Sequence, residues 1–154
     1  MIKAPDMDAN CVELQSTWHA EIPIAAAMGV EVAGFAGDEF VVRAGLDPNI
    51  NVHGTAFAGS LYAIAALAGW GLTWLKLRDA GFDGQIVLAE GRIEYLRAVA
   101  EDIVCRCRFD RELHGPKLAA LARSSRTTLR IHCNIDAGGR RAVRFEGLYS
   151  IRKR

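Results

Sequence analysis

The chain has almost no excess of charge of either sign. Among its 154 residues, 19 lysines and arginines nearly balance 18 aspartates and glutamates, which leaves a formal net charge of +1. The overall field therefore does not favour a polyanion or an anionic membrane surface, and we expect no nucleic acid and no membrane as partner. An anionic ligand would have to meet a local cluster of basic side chains.

The four cysteines lack any spacing typical of a metal site. Cys105 and Cys107 lie two residues apart, where a strand directs both side chains to the same face. We therefore expect no metal, and we predict reduced, buried thiols in a cytoplasmic protein. The first ten residues also lack the apolar stretch of a secretory signal, which agrees with that location.

Charge is absent from one long internal segment. No charged residue occurs from Gly54 to Leu75, and apolar residues lie on every side of the helical wheel. We expect such a helix to be buried all round. The segment is also long enough to cross a membrane. We favour a core helix, because the rest of the chain has the pattern of a soluble sheet.

The remaining segments alternate polar and apolar side chains, as strands do when one face is wet and the other dry. A lead-in segment over residues 1–27 precedes them and contains a short helix around Val12 to Trp18. The Gly37-Asp38 pair predicts a tight hairpin. Strands are predicted over 30–35, 39–46, 85–99, 102–109, 128–135 and 143–151, with a short helix or turn over 117–123.

A sheet that curls around the apolar helix, with another layer closing the far side, satisfies both patterns. This is the architecture of the hot-dog fold. We therefore predict one α+β domain over residues 1–154, in which a curved antiparallel sheet wraps around one long buried central helix. Closure of the open side predicts a homodimer or a dimer of dimers.

The segment from Asn51 to Tyr62, NVHGTAFAGSLY, resembles the signature with which hot-dog acyl-CoA thioesterases enter their central helix. It is most similar to the thioesterase family also found as the C-terminal domain of YiiD-type acetyltransferases. Residues 93–99 and 145–149 are similar to later strands of that family, so that the resemblance extends over residues 25–152. It implies an enzyme that hydrolyses an acyl-CoA or acyl carrier protein thioester, with coenzyme A as part of the substrate and no separate cofactor.

The motif also has a physical logic of its own. A thioester carbonyl gains negative charge when it is attacked, and free N–H groups at a helix N-terminus are suited to hold that charge. Gly54 and Gly59 would let the ligand approach the backbone closely. Asn51 would bind the thioester or hold the loop, and Thr55 would cap the helix. The alternative is a purely structural turn and a tight contact between helix and sheet.

Four more side chains in this region are candidates for the site. His53 has a pKa suited to a general base, although a loop histidine is more often structural. Ser60 would position water, or it would simply pack in the first turn. Phe57, in the motif, and Tyr62 are predicted substrate contacts. Tyr62 lies near the expected position of the acyl carbonyl, and its alternative is packing or helix capping.

The predicted helix contains no carboxylate. Acidic thioesterase branches carry an Asp or Glu where this chain has Ala66, and a hot-dog dehydratase would also need a helix acid. Glu90, presented by a dimer partner, is therefore our candidate base. Its alternative is a surface carboxylate paired with Arg92 or Arg97. The missing acid also favours a second function, a non-catalytic domain that binds acyl thioesters.

Three basic residues form the remaining candidate cluster. Lys117, Arg123 and Arg126 lie close together in the sequence beside two serines, and they are suited to the phosphates of coenzyme A. The alternative is an ordinary solvated turn.

Overall fold

The computed structural model describes residues 7–154. Helices and strands follow one another in the order α1 (Ala9–Glu21), α2 (Pro23–Met28), β1 (Glu31–Ala36), β2 (Glu39–Ala44), α3 (Ala58–Asp79), β3 (Gly84–Tyr95), β4 (Ile103–Arg108), α4 (Arg111–Ala119), β5 (Arg126–Ala137) and β6 (Arg140–Lys153). Short 3-10 turns occur at Asp47–Asn49 and Ala120–Ala122.

The strands form one antiparallel sheet of six, in the order β1-β2-β4-β5-β6-β3. The period-two pattern places alternate side chains on opposite faces. Those on the inner face are buried around α3, among them Phe40, Cys105, Ile131, Phe145 and Tyr149. The predicted hot-dog fold is confirmed: a curved sheet wraps around a long central helix.

Helix α1 belongs to the core of the domain. Its residues Leu14 and Trp18 are fully buried, and the Trp18 ring meets the Phe40 ring of β2 edge to face at 6.4 Å. Pro23 begins α2, where its missing N–H costs nothing because the first turn of a helix has no acceptor for it. The segment that the sequence presented as a lead-in therefore closes one side of the core.

Helix α3 differs from its prediction in two ways. It begins at Ala58 instead of near Gly54, because the chain stays extended through Phe57. It is also not buried all round within one chain. A half-exposed row, which we call the α3 stripe, runs along one side and consists of Tyr62, Ala63, Ala66, Leu67, Trp70 and Trp74.

By length and composition alone, α3 could cross a membrane. The rest of the chain buries 56% of its most apolar window. That degree of contact is typical of a core helix inside a folded domain, and it agrees with our choice between the two interpretations.

Helix α4 begins at Arg111, six residues before the helix or turn that the sequence predicted at Lys117. The Gly115-Pro116 pair therefore lies inside the helix. The Asp110 carboxylate caps the helix by accepting from two backbone N–H groups at 3.0 Å. His114 anchors it, because Nε2 donates to the Arg130 carbonyl at 2.8 Å and Nδ1 accepts from the Asp110 N–H. These bonds offset the one that Pro116 removes.

All four cysteines are free thiols and buried, as predicted. Burial raises the pKa of Cys11 to about 11, with the Asp8 and Asp79 carboxylates adding to the shift. Burial also raises the pKa of Cys133. Within residues 7–154, no group of three His, Cys, Asp or Glu side chains is placed to hold a metal ion.

Candidate functional site

Asn51 organises the loop that leads into α3. Its Oδ1 atom accepts from the backbone N–H groups of His53, at 2.8 Å, and Thr55, at 3.1 Å. Its Nδ2 atom donates to Thr55 Oγ1 at 2.9 Å and to the Ala56 carbonyl at 3.3 Å. Both the oxygen and the nitrogen of the Asn51 amide are therefore hydrogen-bonded within the loop. This geometry favours a role in holding the loop and not a direct contact with the thioester.

The N-terminus of α3 has no side-chain cap. The prediction that Thr55 caps it is wrong, because the extended chain makes Phe57 the N-cap residue and Thr55 instead bonds Asn51. The first backbone bond of the helix runs from the Leu61 N–H to the Phe57 carbonyl at 3.1 Å. In residues 7–154, the N–H groups of Ala58, Gly59 and Ser60 therefore have no acceptor.

Gly59 lets the Phe57 ring approach the helix backbone closely. A Cβ atom at this position would lie 2.4 Å from a ring carbon of Phe57. The Phe57 ring, itself 54% exposed, thus lies over the helix start. The three free N–H groups thus lie beside an exposed apolar ring, a combination that suits a polarised carbonyl next to an apolar group.

Tyr62 lies one turn further along α3 and faces the sheet. Its ring meets the Phe145 ring edge-on at 5.3 Å. Its hydroxyl occupies the notch beside Gly91, where an added Cβ would come within 1.9 Å of it. No hydrogen-bond partner of this hydroxyl occurs in the described part of the chain, so that it is free to bond a ligand.

Tyr95 of β3 is a member of this site that the sequence reasoning missed. Its hydroxyl donates to the Ala58 carbonyl, in the first turn of α3, at 2.9 Å. Burial, and secondarily the Tyr62 phenol, raise the pKa of Tyr95 above its usual value. The signal in the sequence is its place in residues 93–99, which carries part of the family resemblance but does not by itself mark a site residue.

His53 and Ser60 do not form a catalytic pair. His53 is exposed at the tip of the loop, and only its backbone is bonded. Ser60 is 8% exposed in the first turn of α3. No bond joins their side chains, and no base contacts the Ser60 hydroxyl, among the residues that the structure describes.

A β-bulge decides where Glu90 points. The pairing of β3 with β6 shifts between Leu88 and Glu90, so that Gly91 faces the helix and Glu90 faces the outer side of the sheet. Glu90 is exposed, and within residues 7–154 it makes no salt bridge with Arg92 or Arg97. It does not reach the start of α3 in its own chain, and its catalytic role stays a prediction.

The three predicted phosphate contacts are all exposed but lie away from Gly59. Lys117 is on α4, Arg123 follows it, and Arg126 begins β5. The segment of Lys117 shares a cavity of about 720 Å³ with Lys76 and Asp79, at the C-terminal end of α3. A 22-residue helix is roughly 33 Å long, so one chain does not bring these cations to the free N–H groups.

An apolar cleft of about 370 Å³ lies along the α3 stripe. Ala66 lies on its wall, at the position where acidic thioesterases carry their carboxylate. Of the residues that the structure describes, none with a charge lines the cleft; the lining is Ile22, Ile24, Met28, Tyr62, Ala63, Ala66, Leu67, Trp70, Leu88 and Tyr149.

Comparison with solved structures supports the fold and the family. The crystal structure of a putative thioesterase from Shewanella oneidensis is 35% identical, with a TM-score of 0.86 over 94% of this chain and 99% of that one. A protein of unknown function from Chlorobaculum tepidum is 28% identical, with a TM-score of 0.89 over 94% of each chain. A thioesterase from Haemophilus influenzae, at 14% identity and a TM-score of 0.70 over 93% of this chain and 90% of that one, shares the fold.

The family model described as "Putative thioesterase (yiiD_Cterm)" matches residues 11–153, nearly the whole chain. This match and the Shewanella structure agree with the resemblance carried by Asn51 to Tyr62. The chain belongs to the yiiD C-terminal family of putative thioesterases.

Proposed function

We propose that the protein hydrolyses an acyl thioester of coenzyme A or acyl carrier protein at the N-terminus of α3. One observation carries the proposal: Ala58, Gly59 and Ser60 present N–H groups without acceptors at the start of an uncapped helix of 22 residues. Attack on a thioester carbonyl places negative charge on its oxygen, and such donors stabilise that charge. Family membership supports the same chemistry.

The site is completed, in this proposal, by a second copy of the chain along the open edge of β3. The Arg154 N–H donates to the Asp83 carbonyl and the Leu96 N–H to the Ala142 carbonyl, which fixes the antiparallel pattern. By the alternation of that pattern, the N–H groups of Ile86, Leu88, Gly91, Ile93 and Tyr95 point away from β6. A row of five such donors is a template for another strand.

The α3 stripe lies above the same edge. Tyr62 covers Gly91, and the Trp70 indole donates to the Ile86 carbonyl at 3.0 Å. A copy that pairs with β3 would therefore also cover the half-exposed apolar residues of the stripe. The active groove would lie where the start of α3 meets the partner's sheet, and the pairing of dimers into tetramers stays a prediction.

The proposed dimer also matters for Glu90 and the three basic residues, which lie away from the start of α3 within one chain. Glu90 lies on the open strand and remains our candidate for activating water; because its side chain faces the outer side of its own sheet, this role requires that the second copy bring the groove to that face. Lys117, Arg123 and Arg126 would bind coenzyme A phosphates only if a second copy brings them to the groove.

The proposal is tested by release of free thiol from acyl-CoA esters of graded chain length, measured with a coloured thiol reagent. The four buried cysteines of the protein will not interfere. We expect turnover with at least one chain length. The alternative function, binding without catalysis, is favoured by Ala66 and would appear as saturable binding of the same esters with no thiol released.

The base is tested by Glu90→Gln, which keeps the shape and removes the charge. Loss of a group that activates water costs about 10²- to 10⁴-fold in rate. Glu94→Gln is the matched control, because Glu94 lies on the same strand and the same face and pairs only with Arg92, at 3.8 Å. Equal rates in both variants would exclude Glu90, and His53→Ala and Ser60→Ala would then be measured.

A further inference from the structure

Two tyrosines bond the backbone of α3 in the same way at different places. Tyr95 Oη donates to the Ala58 carbonyl at 2.9 Å, and Tyr149 Oη donates to the Ala66 carbonyl at 2.8 Å. Tyr149 is fully buried in the core, whereas Tyr95 is 48% exposed at the start of the helix. The Tyr149 bond satisfies a buried hydroxyl, but water would serve the exposed Tyr95 hydroxyl equally well.

The Tyr95 bond falls on one particular peptide unit. The Ala58 carbonyl and the Gly59 N–H belong to the same amide group. A donor on the carbonyl polarises the amide and makes its N–H a stronger donor, and it also fixes the plane of the group. The Ala58 and Ser60 N–H groups share their amides with the carbonyls of the preceding residues. Within residues 7–154, no side chain donates a hydrogen bond to either of those carbonyls.

The helix start does not need Tyr95 as an anchor. The Ala56 N–H donates to the Val99 carbonyl and the Phe57 N–H to the Asn49 carbonyl, each at 2.7 Å. These bonds already tie the residues before Ala58 to two other segments. The Tyr95 bond therefore adds orientation at a place that is already held.

We propose that Tyr95 is a positioning residue, which aims and strengthens the Gly59 N–H as the donor to the thioester oxygen. The inference rests on the proposed function, and it selects one of three free N–H groups. A tyrosine phenol is protonated at neutral pH, as a donor must be, and burial raises the pKa of Tyr95 further.

The test compares Tyr95→Phe with Tyr149→Phe, which removes the same kind of bond two turns away. The first readout is the nitrogen and proton chemical shift of the Gly59 amide. This shift responds to a bond on the Ala58 carbonyl and does not depend on turnover. We expect Tyr95→Phe to move the Gly59 signal, and Tyr149→Phe to move that of Leu67 and leave Gly59 in place.

The second readout is the split between kcat and KM for the best acyl-CoA ester. Cooperative strengthening of 10–30% on a donor worth 10²- to 10³-fold predicts a fall in kcat of about 2- to 8-fold, with KM nearly constant. We expect Tyr149→Phe to lower Tm without this fall in kcat. If Tyr95 has only a structural role, Tyr95→Phe will lower Tm and leave kcat unchanged.

The results separate the two proposals. An unmoved Gly59 signal in Tyr95→Phe, or a moved signal with parental kcat, overturns the positioning role. If the parent releases no thiol, the proposed hydrolysis fails. The Gly59 signal, which does not depend on turnover, then decides the positioning role alone, and an unmoved signal in Tyr95→Phe overturns it.

Discussion

The two edge strands of the sheet differ in whether another element covers them. Helix α1 covers the β1 edge: Gln15 Oε1 accepts from the Val32 N–H at 2.8 Å, and His19 Nε2 donates to the Val30 carbonyl at 2.6 Å. A register shift between Val32 and Gly34 further interrupts this strand. The β3 strand is twelve residues long and largely exposed, and among the strands within residues 7–154 it pairs with β6 alone.

A sheet edge is a liability unless it is covered, interrupted or paired. Both edge strands of this sheet contain a β-bulge, but the chain covers the β1 edge with α1 and leaves the longer β3 edge uncovered, beside the start of α3. In the dimer that we propose, the β1 edge serves stability, whereas the β3 edge serves assembly of the site. Four changes test that division, starting with the largest expected effect.

The largest effect is expected from Ile93→Pro. This change removes an N–H that faces the open edge and spares the pairing with β6. Loss of one such bond costs about 1–3 kcal/mol, so two symmetric copies would lose about 2–6 kcal/mol of dimer stability. Sedimentation equilibrium measures the change. Ile93→Ala is the control, because it removes the side chain and keeps the N–H; equal dimerisation of the two variants would contradict strand pairing at β3.

Gly71→Ala tests the covered edge through the seating of α1. The added Cβ would lie 2.8 Å from a Trp18 ring carbon and 2.9 Å from a Phe40 ring carbon. Overpacking of this kind costs about 1–3 kcal/mol of the free energy of unfolding, which urea denaturation reports. Gly34→Ala, whose Cβ would meet nothing within 4 Å, is expected to be nearly neutral. A neutral Gly71→Ala would mean that α1 is not tightly seated.

Gln15→Ala acts on a single bond of the covered edge. It leaves the Val32 N–H without its acceptor, at an expected cost of about 1 kcal/mol. Hydrogen exchange at the Val32 amide should become faster, whereas amides in β6 should not change. Gln15→Glu keeps an acceptor oxygen and should restore slow exchange. Unchanged exchange in Gln15→Ala would show that α1 does not protect this edge.

Acid is expected to cause a small loss of stability at the covered β1 edge. Asp38, in the turn between β1 and β2, bonds Arg111 at 2.7 Å and Lys76 at 2.9 Å. These two bonds lower the pKa of Asp38 from 3.8 to about 2. Because the folded pKa is the lower one, this stability is present above about pH 4 and is lost as the pH falls toward 2. The fall in Tm between pH 5 and pH 2 should be smaller in Asp38→Asn; equal falls would contradict the role.

Much of the sheet follows from the sequence because burial imposes a period of two. Cys105 and Cys107 are buried and Arg106 between them is exposed, as predicted. Glu90 shows where this logic stops. A single extra residue in the bulge reverses which side chains face the helix, and no local sequence pattern predicts where the bulge occurs.

The helix boundaries were harder to predict for a similar reason. Thr55 is a good capping residue by type, but the Asn51 amide takes its hydroxyl, and the helix starts only after Phe57. Pro116 indicated a boundary that the Asp110 cap and the His114 anchor override. Side-chain hydrogen bonds decided these cases, as they did for Tyr95, and residue type alone does not show which partner a side chain takes.

The most direct test of the account removes one N–H group. Glycolic acid in place of Gly59 turns the amide between residues 58 and 59 into an ester, without adding a side chain beneath the Phe57 ring. Loss of one donor to a developing oxyanion costs about 10²- to 10³-fold in kcat. We predict that fall with nearly unchanged binding of the acyl-CoA ester. Turnover at the parental rate would show that the start of α3 does not hold the thioester oxygen.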